Sequence, residues 1–277
     1  MPELPEVETV CRGLRPVLEG HKITEVRKNR PDLRFPIPEN FVSVLQGARV
    51  EHIGRRAKYI LMRLDNGWNI GWHLGMSGRM VIDDITRPEE KHDHIVIAND
   101  EGKAVFFCDP RRFGYVFTVA EDEIEDCKHF AHLGPEPLGN AFHADYLEQA
   151  LKGRKTPIKN ALLDQRIVVG LGNIYVCEAL YYAGIHPETP SKNLKRTHID
   201  TLLPIIQDVL NKAIAAGGSS LKDYVQASGE LGYFQHQFAV YGQEGEKCPN
   251  CSCDKSVERI VQSGRSSFYC PETQLRL

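Results

Sequence analysis

The sequence predicts an α+β multidomain protein, because three kinds of pattern follow one another along its 277 residues. Short segments rich in Val, Ile and Phe, separated by turn residues, fill about residues 22–118 and are typical of antiparallel sheets. Apolar residues then recur at helical spacing over about residues 144–216. The last thirty residues hold four clustered cysteines. We therefore expect an N-terminal antiparallel β-sandwich or barrel, a helical middle and a small C-terminal hairpin.

The first predicted element is a helix that flanks the sheet domain. Val7, Val10 and Leu14 lie at helical spacing, and Gly20 suits the end of such a helix. The strands that follow are clearest in three apolar segments: 60–64, 94–97 and 104–107. Turn sequences separate them, for example Asp-Asn-Gly at residues 65–67.

Residues 133–139 suit neither a helix nor a strand, because they contain two prolines and two glycines, and they predict a linker. Four helical segments follow the linker: 144–151, 157–164, 173–183 and 197–215. A last helix is expected at 219–226, after Gly217-Gly218. The expected domains are a β-rich domain at 1–133, a linker with the first helix at 134–150, a helical domain at 151–239 and a cysteine-bearing hairpin at 240–277.

The net charge of −3 is unevenly distributed. Residues 1–150 carry 19 Lys and Arg against 25 Asp and Glu, whereas residues 151–277 carry 15 against 12. Nucleic-acid-binding domains are often basic, but a protein that holds DNA along one face needs only a local patch. Such patches exist at 55–58, 109–112 and 152–155. Charge alone therefore neither shows nor excludes a DNA partner.

The location that the sequence predicts is cytoplasmic. The sequence contains no run of 18 or more apolar residues, which is the length needed to span a membrane. Residues 1–10 hold three Glu and two Pro where a signal peptide would need a basic and then an apolar run. Four scattered cysteines are interpreted as buried free thiols: Cys11, Cys108, Cys127 and Cys177.

The clustered cysteines predict a structural zinc site. Cys248 and Cys251, with Cys270 after a hairpin-length gap, follow the spacing of a zinc ribbon. A tetrahedral site needs a fourth ligand, but position 273, where a cysteine is expected, is Thr273. Cys253 offers another sulfur, so the ligand combination stays open. The alternatives are a finger packed without metal and one with water in the fourth position.

Two further segments carry candidate chemistry. Gly170 and Gly172 precede Asn173 at the start of a helix, where free N–H groups can bind a phosphate, although the glycines could equally make a tight turn. Removal of Met1 would give Pro2 a free secondary amine, which can attack a sugar C1′ as a Schiff-base nucleophile. The alternative is that Pro2 and its neighbours merely shape an N-terminal arm.

Taken together, these features resemble formamidopyrimidine-DNA glycosylases, the bacterial enzymes that remove 8-oxoguanine and ring-opened purines. The resemblance begins with the opening residues 2–9, Pro-Glu-Leu-Pro-Glu-Val-Glu-Thr, and extends over the whole chain. Six further motifs follow in order: 54–59, 73–78, 109–114, 133–138, 172–175 and 262–265. The resemblance implies a helix–two-turn–helix domain at 151–239, a C-terminal zinc-finger hairpin with one structural zinc, and a monomeric enzyme that acts in the cytoplasm at the nucleoid.

The family implies the activity and the catalytic residues. The enzyme would excise oxidised purines from double-stranded DNA and cleave abasic sites by β- and δ-elimination. Pro2 would be the nucleophile, Glu3 the general acid and Glu6 a supporting carboxylate. Lys58 would contact the phosphate at the damaged nucleotide and assist catalysis, and Arg265 would serve both catalysis and DNA binding.

The family also implies the other DNA contacts. His73 and Asn173 would bind phosphates, and Lys159 would approach the same backbone. Met76, Arg111 and Phe113 would fill the space left by the flipped nucleotide, with Arg111 bonded to the orphaned cytosine. The alternatives are a core Met, a core Phe and a surface Arg, and without the family they would be the preferred interpretation of Met76 and Phe113. Residues 226–234 correspond to the family's lesion-recognition loop.

Two rival functions are considered, a close enzymatic one and one from another class. The pyrimidine-specific relative, endonuclease VIII, has Gly at the position of Leu4 and lacks the arrangement of Arg111, Arg112 and Phe113. A non-catalytic DNA-damage-binding protein on the same scaffold would not need Pro2, Glu3 and Lys58. The finger departs from the family pattern Cys-Pro-x-Cys-Gln only at Thr273.

Overall fold

The computed structural model describes residues 1–219, 233–251 and 255–277. The chain divides into two compact units. The first contains Met1–Ala131 and Ile214–Gln235, and the second contains His132–Ala213 and His236–Leu277. Three expectations fall wholly or mostly outside the described residues: the helix at 219–226, the loop at 226–234 and the ligand Cys253.

The first unit contains two antiparallel sheets of four strands, as the sequence predicts for a sandwich. One sheet has the order β1-β6-β7-β5, and the other has the order β2-β3-β4-β8. The elements are α1 Leu4–Leu18, β1 Ile23–Lys28, α2 Phe41–Leu45, β2 Val50–Arg56, β3 Tyr59–Leu64, β4 Trp68–His73, β5 Arg79–Asp84, β6 Asp93–Asn99, β7 Lys103–Cys108, β8 Tyr115–Ala120 and a 3₁₀ turn at Glu121–Glu123.

Helix α1 and both sheets share one apolar core. Val10 and Leu14 pack with residues of the first sheet such as Phe107 and of the second sheet such as Trp72. The helical spacing noted in the sequence is thus the buried stripe of α1. Strand β6 is buried on both faces, because a second apolar cluster, which includes Phe106, covers the other side of its sheet.

The second unit holds most of the helices and the terminal hairpin. Its elements are α3 Ala144–Leu151, α4 Ile158–Leu163, α5 Asn173–Tyr182, a 3₁₀ turn at Ser191–Asn193, β9 Glu258–Gln262 and β10 Arg265–Tyr269. Helix α6 runs over Arg196–Ala215, and a 3₁₀ turn spans Phe234–Gln237. The four helices expected between 144 and 215 are confirmed, with ends that differ by at most one residue. Among the described residues, no helix is long and apolar enough to cross a membrane.

Candidate active site

The amino-terminal residues are fixed by hydrogen bonds inside the first unit. Pro2 and Glu3 are buried, whereas Met1 is 49% exposed. The Glu6 carboxylate accepts a hydrogen bond from the backbone N–H of Glu3 at 2.8 Å, through Oε2. This contact caps the start of α1, so the helix-favouring role considered from the sequence is present. It also holds the Pro2–Glu3 peptide in one place.

The other oxygen of Glu6 binds a distant part of the chain. Oε1 accepts hydrogen bonds from the Ser219 N–H at 2.8 Å and from the Ser219 hydroxyl at 2.9 Å. Gly218 has φ +76°, and a Cβ there would lie 3.2 Å from Glu6 side-chain atoms. The positive φ favours glycine at this position, and a larger residue would also press on the Glu6 side chain. Glu6 and Ser219 both belong to the first unit.

Lys58 lies in the two-residue turn between β2 and β3. Lys58 is only 8% exposed, which is unusually low for a lysine. The residue before it, Ala57, has φ +54°, a left-handed conformation that a non-glycine residue rarely adopts. The turn therefore stores backbone strain next to Lys58, and such strain clusters at functional sites.

The same strain marks two other predicted contacts. Among the described residues, three non-glycine residues have positive φ: Ala57, Arg112 and Ser263. Arg112 follows Arg111 in the chain, and Ser263 lies two residues before Arg265 in the tight turn between β9 and β10. Each strained residue thus lies within two positions of a residue that the sequence assigns to DNA binding.

His73 ends β4 and is held as a neutral imidazole. Burial, with added repulsion from Lys58 and Arg34, lowers its pKa from 6.5 to about 4. The Gly75 N–H donates to Nδ1 at 3.1 Å, so the proton of the neutral ring lies on Nε2. The ring stacks on Tyr115, with centroids 5.1 Å apart. His73 can therefore donate a hydrogen bond from Nε2 without carrying charge.

The predicted wedge residues lie on two loops of the first unit. Met76 is 38% exposed and Phe113 is 41% exposed, so both large apolar side chains reach solvent. The guanidinium of Arg111 lies over the Phe113 ring, 5.0 Å from its centroid. The interpretation of Met76 and Phe113 as ordinary core residues is wrong, because both reach the surface.

The second unit places Asn173 against the terminal hairpin. Asn173 is the first residue of α5, as expected, and its Nδ2 donates to the backbone carbonyl of Ser266 at 2.9 Å. Ser266 follows Arg265, which is exposed at the start of β10. Asn160 Nδ2 also donates to the Ser263 hydroxyl at 2.7 Å. Both ends of the Ser263–Ser266 turn are thus bonded to the helices.

Lys159 is fully buried, which differs from the DNA approach expected of it. Its Nζ donates to the Ser266 carbonyl at 2.9 Å and to the Ser267 hydroxyl at 2.6 Å. The Ser267 hydroxyl in turn donates to Gln262 Oε1. The ammonium group is therefore occupied inside the unit, where it fixes the hairpin that carries Arg265.

Glu178 on α5 is a structural residue that sequence reasoning missed. It is buried and accepts three backbone N–H groups, from Ala239, Val240 and Tyr241, at 2.8 to 3.0 Å. Burial raises the pKa of Glu178, and these three bonds partly oppose the rise. The contacts attach the chain segment before the hairpin to the helix that begins with Asn173. An isolated Glu in an apolar helix was the only sequence signal.

Three of the four predicted sulfur ligands lie together. The Sγ atoms of Cys248, Cys251 and Cys270 all lie within 4.8 Å of one another, and those of Cys251 and Cys270 are 3.8 Å apart. Tetrahedral zinc with bonds of about 2.3 Å would space its sulfurs by about 3.8 Å. The cluster can therefore bind a metal. The Tyr181 hydroxyl lies 3.1 Å from the Cys248 sulfur and supports it.

Thr273 lies beside this cluster, where the sequence pattern expects a fourth cysteine. Burial raises the pKa of the Cys270 thiol, but the nearby polar groups of Thr273 and the backbone N–H groups of residues 272 and 273 outweigh burial and lower it overall. These groups favour the thiolate, which is the form that binds metals. The residues present thus fit a metal site.

Comparisons with known proteins agree with this geometry. Residues 1–116 match the formamidopyrimidine-DNA glycosylase N-terminal domain, and residues 133–225 match the H2TH domain of the same enzymes. Formamidopyrimidine-DNA glycosylases of Ruegeria pomeroyi and Caulobacter vibrioides are 54% and 50% identical to the chain. Each alignment covers 99% of this chain and 100% of the relative.

Solved structures give the same result. The MutM (Fpg) protein of Thermus thermophilus has a TM-score of 0.88 and 37% identity, covering 99% of this chain and 98% of that one. Lactococcus lactis Fpg in complex with DNA that contains an abasic site has a TM-score of 0.90 and 33% identity, covering 99% and 100%. From sequence, domains and fold together, the chain belongs to the formamidopyrimidine-DNA glycosylase family.

Proposed function

We propose that this enzyme is a bifunctional DNA glycosylase and abasic-site lyase that excises oxidised purines, 8-oxoguanine and formamidopyrimidines, from duplex DNA. The observation that carries the proposal is the buried arrangement at the amino terminus, where Glu6 bonds to Glu3 and to Ser219 and so fixes the position of Pro2. Solved complexes of the Lactococcus lactis relative with DNA that contains an abasic site or Fapy-dG support the substrate class.

The reaction begins at the amine that removal of Met1 exposes. The Pro2 nitrogen attacks C1′ of the damaged nucleotide, the bond from C1′ to the base breaks, and the base leaves with a proton. Glu3 then protonates the ring oxygen O4′, so that the C1′–O4′ bond breaks and the sugar ring opens. The resulting iminium acidifies the C2′ proton, whose loss expels the 3′ phosphate, and a second elimination expels the 5′ phosphate. Hydrolysis then releases Pro2.

Four side chains would hold the DNA backbone: Lys58, His73, Asn173 and Arg265. Lys58 and Arg265 supply charge, which dominates affinity for phosphates. His73 supplies a neutral donor because its pKa is depressed. Asn173 acts from the first turn of α5, where a helix favours an anion.

Extrusion of the damaged nucleotide leaves a gap in the duplex. Met76 and Phe113 have the exposure and apolar character to enter it, and Arg111 has the planar fork to bond the base left behind. Lost stacking would thus be replaced by contact with these side chains.

The terminal cysteines would hold one zinc ion, which fixes the fold of the hairpin that carries Arg265. Cys248, Cys251 and Cys270 supply three sulfurs within suitable distance of one another. Cys253, which lies outside the described residues, and Thr273 are the candidates for the fourth position. Zinc here would stabilise structure and take no part in the reaction at C1′.

Borohydride trapping tests the proposed chemistry. Wild-type protein, shown by mass spectrometry to lack Met1, is incubated with duplexes containing 8-oxoguanine opposite cytosine, thymine glycol, or a bare abasic site. We expect covalent adducts with the first and third. Pro2→Gly should lose them, whereas Pro5→Ala, a change in the same arm, should keep them.

Each rival gives a different result. Adducts with thymine glycol but not with 8-oxoguanine would favour the pyrimidine-specific activity. Binding to all three duplexes without any adduct would indicate a damage-binding protein, and the catalytic proposal would then be wrong.

A further inference from the structure

Two loops of the first unit carry the exposed residues Met76, Arg111 and Phe113. We call residues 74–78 the first loop and residues 109–114 the second loop. Met76 belongs to the first, and Arg111 and Phe113 belong to the second. The loops come from different parts of the chain, so their spacing depends on contacts between them.

Asp109 makes the central contact. Its Oδ1 accepts a hydrogen bond from the Ser77 hydroxyl at 2.6 Å, and its Oδ2 accepts one from the Gly114 N–H at 2.8 Å. The Ser77 oxygen in turn accepts a bond from the Arg111 N–H at 3.2 Å. One carboxylate and one hydroxyl thereby connect the first loop to both ends of the second.

The backbones also touch. Gly75 has φ +66°, and a Cβ there would lie 2.4 Å from the Phe113 carbonyl carbon and from the Gly114 nitrogen. Even an alanine would force the loops apart. The second loop is strained at Arg112, with φ +57°. The loops are thus held in one close arrangement.

The burial of Asp109 is unusual for a structural aspartate. It is 0% exposed, and among the residues that the structure describes both partners of its carboxylate, the Ser77 hydroxyl and the Gly114 N–H, are uncharged. A buried carboxylate without an ion pair depends entirely on hydrogen bonds. Asparagine cannot replace it, because an amide has one accepting oxygen, whereas Asp109 uses both of its oxygens as acceptors.

We propose that Asp109 is a positioning residue that sets the spacing between Met76 and the Arg111–Phe113 pair, so that the three side chains enter the duplex as one unit. Ser77 transmits this control between the loops. The inference rests on the proposed role of these side chains in filling the gap left by the flipped nucleotide. On this inference the preference for the base opposite the lesion depends on Asp109, a residue that does not itself reach the surface.

The test compares Asp109→Asn and Ser77→Ala with Ser77→Thr, which keeps a hydroxyl. Asp93→Asn is the matched control, since Asp93 is a buried aspartate of the same unit, bonded to Arg87 instead. Insertion is followed by the fluorescence of 2-aminopurine placed next to a tetrahydrofuran site in a duplex. Opposite-base discrimination is the ratio of excision rates with cytosine and with adenine opposite 8-oxoguanine.

We expect Asp109→Asn and Ser77→Ala to lower the discrimination ratio by about tenfold, the size of one hydrogen bond to a charged group. Both should also lose most of the fluorescence rise, while Schiff-base trapping on a bare abasic site stays within about twofold. Ser77→Thr should recover both readouts. Asp93→Asn should lower thermal stability and change neither readout.

Two outcomes would overturn the inference. One is wild-type discrimination and fluorescence in Asp109→Asn, and the other is an equal loss in Asp93→Asn, which would reflect destabilisation alone. Failure of the proposed function is seen separately, because the wild-type protein would then form no trapped adduct, whereas the fluorescence rise reports insertion alone.

Discussion

The Glu6 carboxylate accepts two hydrogen bonds from Ser219, a residue 213 positions later in the chain, at 2.8 and 2.9 Å. The opposite oxygen of the same carboxylate accepts the Glu3 N–H. One buried group therefore fixes both the amino terminus and the backbone at Gly218–Ser219. Glu6 was expected from the family to support catalysis, and this geometry gives a physical way for it to do so.

Glu6→Gln should weaken both connections. A glutamine has one accepting oxygen, so its NH₂ group must face either the Glu3 N–H or the Ser219 N–H, and one donor is left unsatisfied. We expect the free energy of unfolding to fall by about 1–3 kcal/mol, as measured by urea denaturation. Trapping on abasic DNA should fall as well, since Pro2 loses its fixed position.

Glu51→Gln is the control for this change. Glu51 lies in β2 of the same unit but pairs at the surface with Arg63, at 3.0 Å, and exposed pairs contribute little, about 0–1 kcal/mol. Equal effects of the two substitutions on stability and trapping would contradict the role assigned to Glu6.

The sequence predicts the architecture well because periodicity and turns reflect local physics. The apolar stripe at Val7, Val10 and Leu14 and the cysteine spacing at Cys248 and Cys251 are both legible in the chain. The family resemblance then supplies roles that spacing alone leaves ambiguous, such as that of Pro2.

The sequence does not show which residues make long-range contacts. Lys159 is a basic residue in a basic segment, and nothing local indicates that its ammonium group bonds to Ser266 and Ser267 more than a hundred residues away. The role of Asp109 is also not visible in the local sequence, because it depends on a hydrogen bond from Ser77 on another loop. Such pairings depend on the fold as a whole and on no short motif.

Lys159→Met should destabilise the second unit. Methionine matches the length of lysine but donates no hydrogen bond, so the buried oxygens of Ser266 and Ser267 each lose a donor. We expect a loss of about 1–3 kcal/mol in the free energy of unfolding, together with weaker DNA binding through a displaced Arg265. Lys155→Met, at an exposed position of the same segment, should change stability by no more than about 0.5 kcal/mol.

Direct participation of Lys159 in DNA binding would give another pattern. Its replacement would then lower affinity and the salt dependence of binding without a change in denaturant midpoint. Urea denaturation and binding isotherms at several salt concentrations separate the two possibilities.

Cys270→Ser should remove the metal and loosen the hairpin. The substitution deletes one of three sulfurs that lie within 4.8 Å of one another, and zinc-dependent folds lose stability with their metal. We expect zinc content, measured on the purified protein, to fall from about one ion to near zero. Cys177→Ser, which changes a buried cysteine of the same unit outside the cluster, should leave zinc content intact.

Thr273→Cys tests the fourth position. An added thiolate at this point would complete a four-sulfur site, so the protein should resist a chelator for longer than the wild type. Unchanged metal release would show that the fourth position is already filled by another ligand of the chain.

His73 should make stability depend on pH in a defined window. Its pKa is about 4 in the folded protein against 6.5 in the unfolded chain. Above pH 6.5 the ring is neutral in both states and contributes no pH dependence. Between pH 6.5 and 4 the unfolded chain binds a proton that the folded protein does not, so stability falls as the pH falls, by at most about 3 kcal/mol.

His73→Gln removes this titration. The difference in unfolding free energy between wild type and variant, measured in urea from pH 7.5 to 4.5, should therefore shift steadily in favour of the variant below pH 6.5. His94, whose pKa burial also lowers, is present in both proteins and cancels in the difference. A difference that stays constant over the whole range would mean that His73 titrates normally, and the lowered pKa assigned to it would be wrong.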